Sequence, residues 1–217
     1  MDDAAFSSEL ERRSATEVSK IPAERIHLFC ASCAERYFSG YAAWLADEKL
    51  LDERISPPSA EFVRRALDVC WEEGVPSEAG EMLGRLIQMM PGNHEQPIFK
   101  SPLNDYFIEP WLVRLGLSSM VDPQVSFGLS ASAAALDFHS QILDRRRDMA
   151  GVGPAFDDPE RDLREFAADA GAIAEGAIQI DDANKLQLGL ADSNALRKRS
   201  ADHGRHVLEQ VMRLLAR

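Results

Sequence analysis

No apolar run in this sequence approaches the roughly 20 residues needed to cross a bilayer, so a membrane-spanning helix is not expected. Cysteine is scarce. Cys30, Cys33 and Cys70 are an odd number and too few for a disulfide framework, which makes a reducing cytoplasm the simplest expectation. The first residues, Met-Asp-Asp-Ala-Ala-Phe, are acidic and lead into no apolar stretch, so no secretory signal is expected. Aromatic residues make up only 7%, and Trp44, Trp71 and Trp111 all fall on apolar stripes, so none reads as a base-stacking platform. Gly-x-Ser-x-Gly, a Walker loop and a dinucleotide fingerprint are all missing, which disfavours an enzyme while leaving room for a site assembled from scattered residues.

Positive charge is also in short supply. Lys+Arg number 24 against 36 Asp+Glu, for a formal net charge of −12. A field of that sign disfavours nucleic acid and anionic membranes as partners and favours basic proteins, although many soluble proteins are this acidic for solubility alone. The excess is uneven. Residues 43–109 hold 13 acids and 6 bases, residues 151–192 hold 10 acids and 3 bases, and residues 193–217 reverse the sign with 6 bases and 2 acids.

What is present in quantity is helical patterning. A hydrophobic fraction of 45% over 217 residues is enough for a globular core. From Pro22, a good first-turn residue, Ile26, Phe29, Cys30, Cys33, Tyr37, Tyr41 and Trp44 recur at steps of three and four. Ser59 signals a second helix carrying Phe62, Val63, Ala66, Leu67, Val69, Cys70 and Trp71, stopped by Gly74 and Pro76. A third follows Ser77 with Met82, Leu83, Leu86, Ile87 and Met90. Residues 91–105, with three prolines, are expected to be one long irregular loop, either functional or a packing strap. Pro110 opens a further helix with Trp111, Leu112 and Leu115 inward. Over 124–149, Val125, Leu129, Ala133, Leu136, Ile142 and Leu143 are expected to share a face, alanine-lined between Ala131 and Ala135, suited to a close helix contact. After a hinge at Gly151-Val-Gly153-Pro154, a helix beginning at Asp157–Glu160 is expected to turn Leu163, Phe166, Ala167, Ala170, Ile173, Ala174 and Ala177 inward. Lys185–Leu190 alternates with period two, but a helix or packing arm suits it better than a strand. A final helix starts near Ser193, with Leu196, Val207, Val211 and Leu214 on one stripe. The expectation is an all-α fold: a single domain over 1–217, about eight helices, with a possible subdomain boundary near 151–156.

Each patch of candidate chemistry has a plainer explanation. Cys30-Ala-Ser-Cys33 lies inside a helix with no preceding strand, so buried thiols are expected rather than a redox pair. His203-Gly-Arg-His206 has the wrong spacing for a helical metal pair, and His139 is the nearest thing to a further ligand; His203 is expected at the core edge and His206 in solvent. The acid doublets Asp47/Glu48, Asp52/Glu53, Glu72/Glu73 and Asp157/Asp158 diverge by about 100° on a helix, so a solvated face is the default. Arg145–Arg147 and Arg197-Lys198-Arg199 are expected to pair with the chain's own acids. No cofactor is expected.

Residues 26–74 carry a resemblance. Phe29-Cys-Ala-Ser-Cys-Ala-Glu35-Arg36, then Tyr41, then Arg65-Ala-Leu67-Asp68-Val-Cys-Trp71-Glu72 resembles a bacterial helical family of unknown function, the YjaG-like proteins, in which a Glu-Arg pair, a Tyr and a Leu-Asp-x-x-Trp helix follow in that order. More loosely, an acidic helical protein of this size is similar to the immunity proteins of bacterial toxin systems. That likeness implies neutralisation of a cognate, basic toxin by direct binding, and carries over no catalytic residue. The partner surface is then expected among Asp157, Asp158, Glu160 and Asp162, with Asp47, Glu48, Asp52 and Glu53 from the first block. Two other classes stay open: a helical metal- or small-ligand-binding enzyme with a pocket near 91–105, and a homo-oligomer joined through helix 124–149.

Overall fold

The computed structural model describes residues 3–46, 57–90, 106, 108–149 and 159–215, with side chains described at 9–46, 57–90, 106, 108–139 and 170–213. Among them are eight α-helices and no strand, the all-α bundle expected: α1 (Asp3–Val18), α2 (Ile26–Ala46), α3 (Ala60–Cys70), α4 (Ala79–Met89), α5 (Ile108–Val121), α6 (Val125–Met149), α7 (Pro159–Gln187) and α8 (Ser193–Leu215). A single 3-10 turn, Ala23–Arg25, leads into α2.

The middle of the bundle is α2. Every side chain from Phe29 to Tyr37 is buried, as in a helix covered on all sides. The apolar stripe read from Ile26 to Trp44 is there, but Glu35 and Arg36 are buried with it. α5 runs antiparallel to α2: Tyr106, just before it, lies over Gly40, while Gly116 faces Cys30 and Cys70. α6 runs parallel to α2, with Gly128 against Ile26 and the Tyr37 hydroxyl donating to the Ala135 carbonyl at 2.8 Å. α7 returns antiparallel to α6, and α1 lies in the groove between them, with Leu10 on Gly176 and Ser14 on Ser132.

Local chemistry sets the ends. Ser59 caps α3 by accepting from the Phe62 amide at 3.2 Å, worth about 1 kcal/mol. Gly189 (φ 67°) closes α7 with a paired cap: Leu190 N donates to the Lys185 carbonyl, and Gly189 N to that of Leu186. The alternating run 185–190 is therefore a helix end. α1 goes unseen in the periodicity, because the inward positions Ser14 and Val18 include a serine that packs through its hydroxyl.

Two helices present a different face from the one read in the sequence. On α6, Leu136 of the expected face is buried, but Ala133 is exposed and Val125 and Leu129 are half-buried, while Gly128, Ala131, Ser132, Ala135, Phe138 and His139 are buried. The alanine-lined face offered for homo-oligomer contact is thus filled from within the chain, by α1, α2 and α7. On α7, Ala170, Ile173 and Ala177 are exposed, and Glu175, Gln179 and Asp182 point inward with Ala183 and Leu186. Apolarity lost there to a stronger demand: a buried guanidinium on α2 needs carboxylates, and α7 supplies them.

Candidate functional site

Adjacent residues on a helix diverge by about 100°, so Glu35 and Arg36 of α2 serve two different sets of partners. Arg36 points to α7 and α8 with 1% of its side chain exposed. Its Nε donates to Glu175 Oε1 at 3.0 Å, Nη1 to Asp182 Oδ2 at 2.9 Å, and Nη2 to Cys33 Sγ at 3.1 Å. Gln179, one turn from both acids, donates to Glu175 Oε1 at 2.9 Å. Its own Oε1 accepts from Ser14 at 2.7 Å and Ser132 at 2.6 Å, so α1 and α6 join the same network. Arg199 of α8 closes it from outside by pairing with Asp181 and Asp182.

Glu35 points to α3. Arg64 grips it in a fork, Nη1 to Oε1 at 2.7 Å and Nη2 to Oε2 at 2.8 Å, and the Trp71 indole donates to Oε2 at 3.0 Å. Arg197 approaches the same oxygen at 3.4 Å and also pairs with Asp68, which accepts from Arg64 Nε at 3.0 Å. The two networks together set four guanidiniums against five carboxylates, so nearly all of the formal −12 lies outside them. As the sequence led one to expect, Arg197 and Arg199 pair internally, and Lys198 bonds Asp202 at 2.7 Å.

For the remaining buried ionisable groups, burial disfavours the charged form. Glu109 is fully buried with neither carboxylate oxygen hydrogen-bonded; burial, and then the negative charge of Glu35, push its pKa well above the usual carboxylate range. Burial raises the Cys33 thiol to about 12 even beside Arg36, and raises Cys30 and Cys70 as well. All three thiols are buried, as expected of them, and burial disfavours their thiolate forms. His206 is exposed, on Gln210 at 2.9 Å, whereas His203 sits at the core edge with Nε2 3.7 Å from Glu175 Oε2. Among the described residues, no three His, Cys, Asp or Glu side chains are grouped so as to hold a metal ion.

His203 carries a pH dependence. Burial lowers its pKa to about 4, against the opposing pull of Glu175 on α7; Arg36 on α2, His139 on α6 and His206 on its own helix all add to the lowering. Burial also lowers His139. A folded state that keeps an imidazole neutral gains stability above pH 6.5 and loses it as pH falls toward 4. In urea titrations at pH 7 and pH 5, the wild type is expected to lose more stability than His203→Gln over that interval; equal losses would contradict the burial of this ring.

Of the residues expected to meet a partner, Asp47, Glu48, Asp52, Glu53, Asp157 and Asp158 lie outside the described residues, as do the loop 91–105 and the hinge 151–156. Glu160 and Asp162 fall in the first turn of α7, beyond its described side chains. Glu72 and Glu73 are exposed, as a solvated doublet should be. The sequence reading missed Glu175, Gln179 and Asp182. Their signal was available as polar residues at i, i+4 and i+7 beside Gly171 and Gly176, on a face too polar for an apolar-stripe search. No helix among the described residues is long and apolar enough to cross a membrane. Comparison with known protein families, with curated proteins and with solved structures gives no match for this chain.

Proposed function

We propose that this chain is a non-catalytic binding protein that neutralises a cognate basic protein toxin, in the manner of an immunity protein. One observation carries the reading: four of the arginines are committed to internal carboxylates, while Glu24, Glu61, Glu72, Glu73 and Glu81 stand exposed with no ion pair among the described residues. With the formal net charge of −12, these exposed acids support a negative surface field, which speeds encounter with a cationic protein. Buried thiols raised out of range and carboxylates locked in pairs support a binding role over a reactive one. Of the residues behind the YjaG-like resemblance, Glu35, Arg36, Asp68 and Trp71 belong to the two networks, while Tyr41 donates to the Pro58 carbonyl and Leu67 is in the core, which supports a structural reading of that motif.

The acids expected from the sequence at the start of α7 join this field. Reversing Asp157, Asp158, Glu160 and Asp162 to lysine is expected to slow association with the toxin about tenfold at low salt and to flatten its salt dependence. Stopped-flow mixing over a range of ionic strength measures both. An unchanged rate would remove those four from the steering surface.

A further inference from the structure

Four connections meet at one end of the bundle, and all four are among the described residues: Ser19–Pro22 before the 3-10 turn, Trp71–Glu78 between α3 and α4, Asp122–Gln124 between α5 and α6, and Leu188–Asp192 between α7 and α8. They are tied around the start of α2. Arg25 donates to the Leu186 carbonyl at 2.9 Å, and His27 is buried one residue into α2. α5 packs on the 3-10 turn, and Gln187 donates to the Glu17 carbonyl at 2.8 Å.

This end is apolar on the outside. Val75, Val121, Leu188 and Leu190 are 66%, 53%, 70% and 71% exposed, and they are four of the seven large hydrophobic side chains exposed among the described residues. Fraying does not account for Leu188 and Leu190, because the turn that carries them is closed by the paired cap. Leu190 occupies the position after the cap glycine where a side chain ordinarily folds back onto its own helix, yet here it stands in solvent. Around them the exposed charge is mostly negative: Glu72, Glu73, Asp122 and Asp192 are exposed in the same connections, against Lys20. The bases at this end are occupied, Lys20 on Glu17 at 2.7 Å, Lys185 on Asp181 at 2.7 Å and Arg25 on the Leu186 carbonyl.

We infer that this end of the bundle is the docking face for the basic partner. An apolar centre with an acidic rim fits a protein surface of the opposite arrangement, an apolar patch ringed by lysine and arginine. A second copy of the chain would set the acidic rim against itself, and an anionic surface would be repelled. The inference rests on the binding function proposed above. It separates contact from steering: Leu188 and Leu190 lie at the far end of α7 from Glu160 and Asp162, about 40 Å away at 1.5 Å per residue. Apolar anchors in a contact govern dissociation, and distant charges govern association.

The test uses the full chain and the purified product of the reading frame adjoining its gene, with both rate constants measured by biolayer interferometry. Leu188→Lys/Leu190→Lys is expected to raise the dissociation rate at least a hundredfold, and its circular dichroism and melting curve should match wild type, since neither side chain is in the core. Glu160→Lys/Asp162→Lys is expected to leave dissociation unchanged. If instead the α7-start variant dissociates faster and Leu188→Lys/Leu190→Lys does not, the docking face is elsewhere and the binding function stands. If the wild type binds nothing, both fall. Sedimentation of the chain alone supplies a further arm: a dimer abolished by Leu188→Lys/Leu190→Lys would give this end to a second copy and overturn the inference.

Discussion

Replacing Arg36 with methionine is expected to lower the unfolding free energy by about 3–5 kcal/mol, the usual cost of removing one partner from a buried ion pair. Glu175 and Asp182, at 1% and 0% exposure, would be left as buried charges with no counter-ion on α2. Lysine is no substitute. Nε, Nη1 and Nη2 reach three different groups, and a single ammonium cannot take up that fork. The sign of the effect depends on charge rather than volume. Combining Arg36→Met with Glu175→Gln and Asp182→Asn is therefore expected to recover most of the loss, because a neutral interior needs no counter-ion. Urea unfolding of the single and triple variants measures this. A loss below about 1 kcal/mol for Arg36→Met would mean that the network is not sealed from water.

Gly204→Ala is the second large effect, and its sign runs against helix propensity. On an exposed helix, glycine to alanine stabilises by about 1 kcal/mol. At Gly204 of α8 a Cβ would stand 2.7 Å from the carbonyl carbon and 2.9 Å from the Cα of Arg36, backbone atoms that no rotamer change can move. The two helices would have to part, and overpacking of this kind costs about 1–3 kcal/mol or more. Gly84→Ala on α4, where nothing lies within 4 Å of the added Cβ, is the matched control and is expected to stabilise. Opposite signs for the two alanines in thermal melts would establish α2–α8 contact at Arg36; two stabilising changes would contradict it. Close approach, rather than metal chemistry, thus accounts for the glycine in His203-Gly-Arg-His206.

Much of this was open to inspection in the sequence, and what was hidden has a common cause. α2, α3, α4 and α8 announce themselves by apolar residues at steps of three and four, with Ser59 and Ser193 at their starts, and all are found there. α1 and the true inner faces of α6 and α7 do not, because their contacts run through Ser14, Ser132, Glu175, Gln179 and Asp182. A hydrophobic-stripe reading sends such residues to solvent. Only the pairing of helices distant in sequence gives them partners, as in the 139 residues that separate Arg36 from Glu175. Glu109 was hidden for the same reason: nothing local marks a first-turn glutamate as one that will be buried without a hydrogen bond. The total charge was legible from composition, whereas its division into a nearly balanced interior and an acidic exterior was not.

The most direct measurement of the proposed function is growth. The adjoining reading frame is expressed in a heterologous bacterium, with and without this chain supplied in trans. The expected result is arrest of growth by the neighbouring product alone and its restoration by the chain, with a stable complex of the two recoverable by gel filtration. Growth arrest that persists when soluble, folded chain is present, with no complex formed, would contradict neutralisation by binding.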